Sequence, residues 1–469
     1  MVRISRHGQG TESQRSLALG RRLPLLPFHE FMQAETASGF LLVSSLLLGF
    51  FWANSPWSAS YFHLLEIHLT VGVAGAQLDH PLHTWINDGL MTIFFLLVGL
   101  ELKREVLVGE LSTPRQAALP ILAAVSGAAC PAIIYLLWNA GLPTARGWGI
   151  PMATDIALAL AILSLMSRRL PPALKVFLSA LAIADDLIAV LVIAIFYTQG
   201  ISWVALTAAG GVAGGLFLLG WLGLRRLWPY VLLGLALWLA FFLSGVHASI
   251  AGVVLAFLMP ARARLDLPTF MAQSQELLAQ GSREVVRGLP QWLLDQRQQS
   301  LIHSLEMACK DVQAPLQRME YHLQRSVPFV IIPLFALVNA GVRLEGAPDQ
   351  LFNSVSVGVA LGLLLGKPIG IVTVSWLASR LGLVQLPEGV RFRHLLGLGT
   401  LAGIGFTMSL FIADLAFEET QTLALTQAKL AILVSGVIAA SLGTLILRLS
   451  GTVDPSEASS QTVTDTNMQ

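Results

Sequence analysis

Apolar runs of the length a helix needs to cross a bilayer, about 20 residues, recur along this chain with short polar punctuation between them. Twelve can be drawn, approximately at 37–53, 84–102, 117–139, 148–167, 173–197, 202–222, 228–243, 246–259, 326–342, 354–378, 394–416 and 429–447. A water-soluble core cannot absorb that many. Only 12% of the 469 residues are charged and 55% are hydrophobic, against roughly 25% charged in a soluble domain. The pattern predicts an all-α polytopic membrane protein with twelve transmembrane helices, whose first partner is membrane lipid.

A formal net charge of +1, with no Lys/Arg-rich block outside the loops, excludes a nucleic-acid-binding face. Cys130 sits in an apolar run and Cys309 in a polar one, so the two predict neither a disulfide framework nor a clustered metal site. The run at 37–53 is too long for a secretory signal and lacks its small-residue cleavage site. It reads as the first span, preceded by an N-terminal segment, 1–36, that carries Arg3, Arg6, Arg15, Arg21 and Arg22. The spans occupy 37–449, and the polar tail 450–469 has too little apolar content to fold by itself.

Positive charge orients the spans. If the first leaves the cytoplasm, only Arg146, Arg343 and Lys429 of the 29 Lys and Arg residues fall on the outer side, and Lys367 lies inside a span. Both termini are therefore expected in the cytoplasm. The outer connection 54–83 has no Lys or Arg, and its alternating apolar positions around Glu66–Val71 predict a short hairpin. A mostly polar cytoplasmic insert, 260–325, is longer than compactness requires.

Four charges stand near mid-span: Asp155, the adjacent Asp185 and Asp186, and Lys367. Each costs roughly 2.5–3.5 kcal/mol at the bilayer centre on insertion scales. Lys367 is about a dozen residues from either end of its segment, roughly 16–20 Å of helix, farther than its stem can snorkel. It must find an acid inside the bundle. Asp185 and Asp186 point about 100° apart on one helix, so one can engage Lys367 while the other faces a water-filled cavity, where a carboxylate binds a cation or a proton but not both. The bland alternatives are a structural buried ion pair for the Asp and Lys, and for Asp155 a simple cap on the second half of a broken helix.

Two segments carry helix breakers at membrane depth. Pro151 is followed by Met-Ala-Thr154-Asp155, and Gly397, Gly399, Gly403 and Gly405 precede Phe406-Thr407-Met408-Ser409. Such breaks persist only where they line a cavity or are buried in protein, and their half-helix ends supply partial charge to an ion site. They fall in the middle segments of two triplets, 117–197 and 354–447, that begin on opposite sides of the membrane, as an inverted-topology repeat requires. Close helix packing explains the glycines of 394–416 about as well.

The strings Ala153-Thr154-Asp155-Ile-Ala-Leu-Ala, Ala182-Ile-Ala-Asp185-Asp186-Leu, Gly245-Val-His247-Ala, Pro333-Leu-Phe-Ala-Leu-Val-Asn339-Ala-Gly, Gly366-Lys367-Pro368 and Gly403-Ile-Gly-Phe-Thr-Met-Ser resemble the NhaA-type sodium/proton antiporters, themselves a type example of broken-helix, inverted-repeat transporters. The likeness runs from about Ala37 to Leu449, interrupted at 260–315. It implies a secondary transporter, not an enzyme, in the bacterial inner membrane, exporting Na+ or Li+ electrogenically in exchange for external H+ and activated at alkaline pH. No cofactor is implied, and a homodimer is, through the 54–83 segment. The resemblance places ion-binding carboxylates on Asp185 and Asp186, with Asp186 the more direct Na+ ligand and Thr154 its neighbour. It places Asp155 and Lys367 at the helix crossing, offsetting half-helix dipoles, with Lys367 also pairing Asp185. Its pH-response positions fall on Glu101, Arg104, Glu320 and His247, with Asp88 near the cytoplasmic funnel or in the second helix.

Two departures stand out. The long insertion at 260–315 precedes Glu320, and Asp414 replaces an expected small residue, at an outer end where a solvated face is the simpler reading. A histidine at a helix start such as His247 is more often structural than functional. Two other functions use similar residues. A sodium-coupled solute symporter needs an organic-solute pocket besides the acids, and an intramembrane aspartyl protease needs two aspartates facing each other across helices to share a proton. Asp155 and Asp185 have the spacing for the latter, but no Gly-x-Gly-Asp string occurs.

Overall fold

The computed structural model describes residues 26–73, 76–166, 170–198, 200–283, 296–344, 352–387, 389–417 and 421–450. The N-terminal arginines, Arg168, Arg169 and the tail beyond Ser450 lie outside the described residues. α1 (Leu26–Ala53) and the short α2 (Ser58–Leu65) lead into an antiparallel hairpin of β1 (His68–Val73) and β2 (Ala76–Pro81), in which Thr70 stands opposite Asp79. A widened turn, Trp85–Leu90, opens α3 (Met91–Val108). α4 (Pro114–Asn139) follows. A tight 3-10 coil, Pro143–Met152, is then broken at 153–155 before α5 (Ile156–Leu165). Next come α6 (Pro172–Phe196), α7 (Trp203–Trp221), α8 (Leu227–Ser244) and α9 (Ile250–Leu258).

The polar insert folds as two amphipathic helices, α10 (Leu267–Arg283) and α11 (Gln296–Asp311), packed on one another. Its ends are pinned where the backbone N–H of Arg264 donates to Asp311 O at 3.0 Å and that of Leu316 to Pro260 O at 3.2 Å. α12 (Pro315–Ser326) then runs through a widened turn, Val327–Ile331, into α13 (Ile332–Asn339). Glu320 therefore belongs to a spanning unit that starts at Pro315, and the insert ends sooner than the polarity of 315–325 implies. α14 (Ser354–Leu361) and α15 (Lys367–Arg380) are joined by the widened turn Gly362–Gly366. α16 (Phe392–Ala402) and α17 (Phe406–Ala416) are half-helices bent by 46°, and α18 (Thr422–Leu449) ends the described chain.

Two of the widened turns have a local cause. Pro333 and Pro368 carry no N–H, and their rings crowd the carbonyl four residues back. Those carbonyls, of Phe329 and Leu364, fall inside the two turns, where an extra residue per turn relieves the clash.

Among the described residues nine helices are long and apolar enough to cross a membrane, ten if the bent pair α16 and α17 counts as one span. The twelve expected segments exceed that number at two places. α3 gathers Glu101, Lys103, Arg104 and Glu105 in its last turns, and α9 keeps nine residues of the run at 246–259 because Gly245 turns left-handed (φ +80°) and ends α8. These two depend on each other. A Cβ at Gly252 would stand 2.2 Å from Thr92 O and one at Gly99 2.7 Å from the Ala256 Cβ, so the bare glycines let their backbones touch. Lys103 Nζ donates to the carbonyls of Phe257 (2.6 Å) and Met259 (2.5 Å) at the α9 C-terminus, where a cation is favoured.

Candidate functional site: the crossing of two broken helices

The breaks at 153–155 and 403–405 meet inside the bundle. The Asp155 backbone N–H donates to Ile404 O at 2.7 Å, and the Thr154 hydroxyl donates to Ala402 O at 2.9 Å. Each broken segment thus satisfies backbone groups that the other's break exposes, as a broken helix away from water requires. The Ser409 hydroxyl adds a bond to Ile150 O at 2.7 Å. Glycine is needed here: a Cβ at Gly403 would sit 2.4 Å from Leu363 O, a backbone atom with nowhere to go.

Asp155 is 2% exposed. Its Oδ1 accepts the Leu158 N–H at 3.1 Å, capping α5, while Oδ2 accepts the Thr407 N–H at 3.1 Å and the Thr407 hydroxyl at 2.8 Å. The positive N-terminal ends of α5 and α17 both face this one carboxylate, which offsets both. The simple cap is thus half of its role. With three donors engaged, Asp155 is also badly placed to share a proton with Asp185 as a protease dyad would.

Lys367, 1% exposed, lies at the start of α15 and reaches the crossing from the other side. Its Nζ donates to Thr154 Oγ1 at 2.9 Å and makes an ion pair with Asp185 Oδ2. Through Thr154 the ammonium is linked to the α16 carbonyl of Ala402, so positive charge stands by a helix C-terminus and negative charge by two N-termini. Asp185 Oδ1 and both oxygens of Asp186 are buried without a hydrogen-bond partner among the described residues. Asp186 is 1% exposed. An ionised carboxylate held so would cost several kcal/mol, and a cation or a proton removes that cost. Thr154, Asp155, Asp185, Asp186 and Lys367 therefore form one cluster.

The remaining candidate residues fall into two groups at opposite ends of α3. At its C-terminal end Arg104 bridges Glu320 Oε1 at 2.5 Å and Glu105 at 3.0 Å, Gln324 donates to Glu320 at 3.1 Å, and Glu101 lies in the same electrostatic group. At the other end Asp88 stands in the Trp85–Leu90 turn, 4.0 Å from His247 Nε2. Asp88 is thus in the entry turn of α3, some 24 Å of helix rise from Arg104, and not with the group expected at a cytoplasmic funnel. His247 also meets Ser249 at 3.2 Å and packs its ring edge-on to Phe411, centroids 5.4 Å apart.

Four residues, Thr407, Asn87, Asn339 and Asp414, have partners that the sequence does not reveal. Thr407 holds Asp155, and the one available signal was a hydroxyl in the first turn after the Gly403–Gly405 break. Asn87 and Asn339 join their amides, Asn339 Nδ2 to Asn87 Oδ1 at 2.8 Å. Asp414 is not a solvated face: its side chain is 18% exposed, paired with Lys429 at 2.8 Å, and accepts from Asn87 Nδ2 at 3.2 Å.

Known proteins match this sequence along nearly the whole chain. A sequence model described as Na+/H+ antiporter 1 matches residues 29–447. The Na(+)/H(+) antiporter NhaA of Oleidesulfovibrio alaskensis is 46% identical, covering 91% of this chain and 94% of its own length. The protein of the same description from Syntrophobacter fumaroxidans is 47% identical, with 91% of each chain covered. That from Helicobacter pylori is 43% identical, with 90% and 95% covered. A solved sodium proton antiporter, MjNhaP1 from Methanocaldococcus jannaschii, aligns over 89% of this chain and 100% of its own with a TM-score of 0.42 and 15% identity, too distant a likeness to add to the description of the fold. By the match of the family model across the spans and by identity to curated relatives over nine-tenths of its length, this chain belongs to the Na+/H+ antiporter 1 family.

Proposed function

We propose that the chain exports Na+, or Li+, in exchange for external H+, by competition at Asp185 and Asp186. The observation that carries the reading is Asp186: a fully buried carboxylate whose two oxygens have no hydrogen-bond partner among the described residues, beside a neighbour already paired with Lys367. Na+ takes oxygen ligands, and Asp186, the free oxygen of Asp185 and the Thr154 hydroxyl supply them. Asp155, filled by three donors, positions the half-helices rather than carrying the ion.

The two carboxylates and the ammonium act as one group that holds either protons or Na+. Loss of its protons at high cytoplasmic pH admits Na+, and their return on the outer side expels it. A group with two acids and an amine has more than one proton to trade for one Na+, the condition for electrogenic exchange. Lys367 holds the empty arrangement together by neutralising Asp185.

In this reading α3 and α9 complete a set of twelve spans. The triplets 117–197 and 354–447 form an inverted repeat, and the crossing is the fixed site around which one bundle moves against the other. Both termini lie in the cytoplasm of a bacterial inner membrane, the Glu101–Arg104–Glu320 group sets the alkaline activation, and the hairpin of β1 and β2 joins two copies by its edge.

The test is the purified protein in liposomes carrying an internal pH dye. A Na+ gradient without any organic solute should drive H+ movement, faster at alkaline pH. No Na+-driven H+ movement, or movement only with a co-solute, contradicts the reading and favours a symporter.

A further inference from the structure

Resting on the exchange cycle proposed above, we infer that Asp414 is a positioning residue for transport: with Lys429, Asn87 and Asn339 it latches one mouth of the bundle, and the cycle requires that latch to open. The inference begins on α17. Thr407, Phe411 and Asp414 are spaced i, i+4, i+7 and so lie along one face of that half-helix. The face begins at the ion site, where Thr407 holds Asp155. One turn on, Phe411 is fully buried with its ring against Phe95, Phe335 and His247, at centroid separations of 5.8, 6.2 and 5.4 Å. Another turn on, Asp414 Oδ2 accepts from Asn87 Nδ2 at 3.2 Å while Oδ1 pairs with Lys429 Nζ at 2.8 Å.

The partners divide by element. Asp414, Lys429 and Phe411 belong to α17 and α18, the same triplet as Lys367. Asn87, Phe95, Phe335 and Asn339 belong to α3 with its entry turn and to α13, outside both triplets. Asn339 is itself tied to Asn87 at 2.8 Å and to Phe335 O at 3.1 Å. The polar group thus fastens the repeat-built bundle to the helices beside it, at the end of α3 away from Arg104. Beneath it, three phenyl rings and an imidazole fill the space between the mouth and the crossing. A bundle that turns its carboxylates toward this mouth must separate those rings, and cannot do so while Asp414 holds Asn87.

Two measurements on the full chain, with Cys130→Ser and Cys309→Ser, test this. In the first, Asn87→Cys and Asp414→Cys are bridged by a short bifunctional methanethiosulfonate. Na+-driven H+ exchange should stop on bridging and return with reductant, and bridged protein that still exchanges overturns the latch. A reduced protein with no exchange is referred to the second measurement, which needs no transport. There Ala340→Cys, buried beside Asn339, is labelled by a membrane-impermeant maleimide from the Asn87 side in an Asp186→Asn background. Adding Asp414→Ala should speed labelling about tenfold, the effect of losing one charge-assisted contact. An unchanged labelling rate overturns the inference, whereas failure of the antiport reading appears only in the liposome assay of the wild-type chain.

Discussion

One carboxylate oxygen, Asp155 Oδ2, receives both the backbone N–H and the hydroxyl of Thr407, at 3.1 and 2.8 Å, across a sequence separation of 252 residues. This contact stitches the two broken helices together. A hydrogen bond to a charged group is worth roughly 1.5–3 kcal/mol, and a lost helix cap about 1 kcal/mol. Thr407→Val should therefore lower the melting temperature in detergent, Asp155→Ala should lower it more, and the double variant should cost less than the two together. Additive losses would show that the residues do not act as a pair.

Lys367 and Asp185 give a sharper expectation. Removing one partner of a buried pair leaves an uncompensated charge, at a cost of roughly 3–5 kcal/mol. Lys367→Ala should show that loss as a lower melting temperature and weak exchange, and adding Asp185→Asn should return most of the stability but not the exchange. A melting temperature unmoved by Lys367→Ala would contradict the pairing.

The glycines of α16 and its break separate by what their Cβ would meet. At Gly403 it meets the Leu363 carbonyl at 2.4 Å, at Gly397 the Leu447 side chain at 2.7 Å. A leucine can turn aside, whereas a helix carbonyl at the crossing cannot. Gly403→Ala should cost the 1–3 kcal/mol typical of overpacking, ~2 kcal/mol, and abolish exchange, while Gly397→Ala should retain most of both. Equal effects in melting and transport assays would place the constraint elsewhere.

Arg104 and Glu320 meet at 2.5 Å, with the Glu320 side chain 4% exposed. If this pair sets the pH response, Arg104→Glu and Glu320→Arg should each displace the pH profile of exchange, and the swapped double variant should bring it back toward wild type. A double variant no better than either single one would detach the pair from pH sensing.

Much of this site is legible from residue type and position. Lys367 has to find an acid because its stem cannot reach water from mid-span, and the structure supplies Asp185. Pro151 and Gly403 mark breaks because proline and glycine are poor helix interiors at that depth. What stays hidden is whatever depends on tertiary neighbours. Nothing local ties Thr407 to Asp155, or Asn87 to Asp414, 327 residues apart. Asp414 looks like a surface acid because it stands near the end of its apolar run, and only Lys429 and Asn87 reveal that its exposure has been taken up. The start of the span at Pro315 is obscured for a related reason: α12 is polar on one face, and Leu316, Met319 and Glu320 are buried on the other.

The central claim concerns Asp186 itself, and one variant tests it most directly. Asp186→Asn keeps the size of the side chain and removes the charge that takes Na+ or a proton in turn. In everted membrane vesicles, Na+-induced dequenching of an acid-trapped dye should vanish for this variant across the alkaline range, with the protein present in the membrane at wild-type level. Dequenching of normal rate and extent from Asp186→Asn would contradict the account.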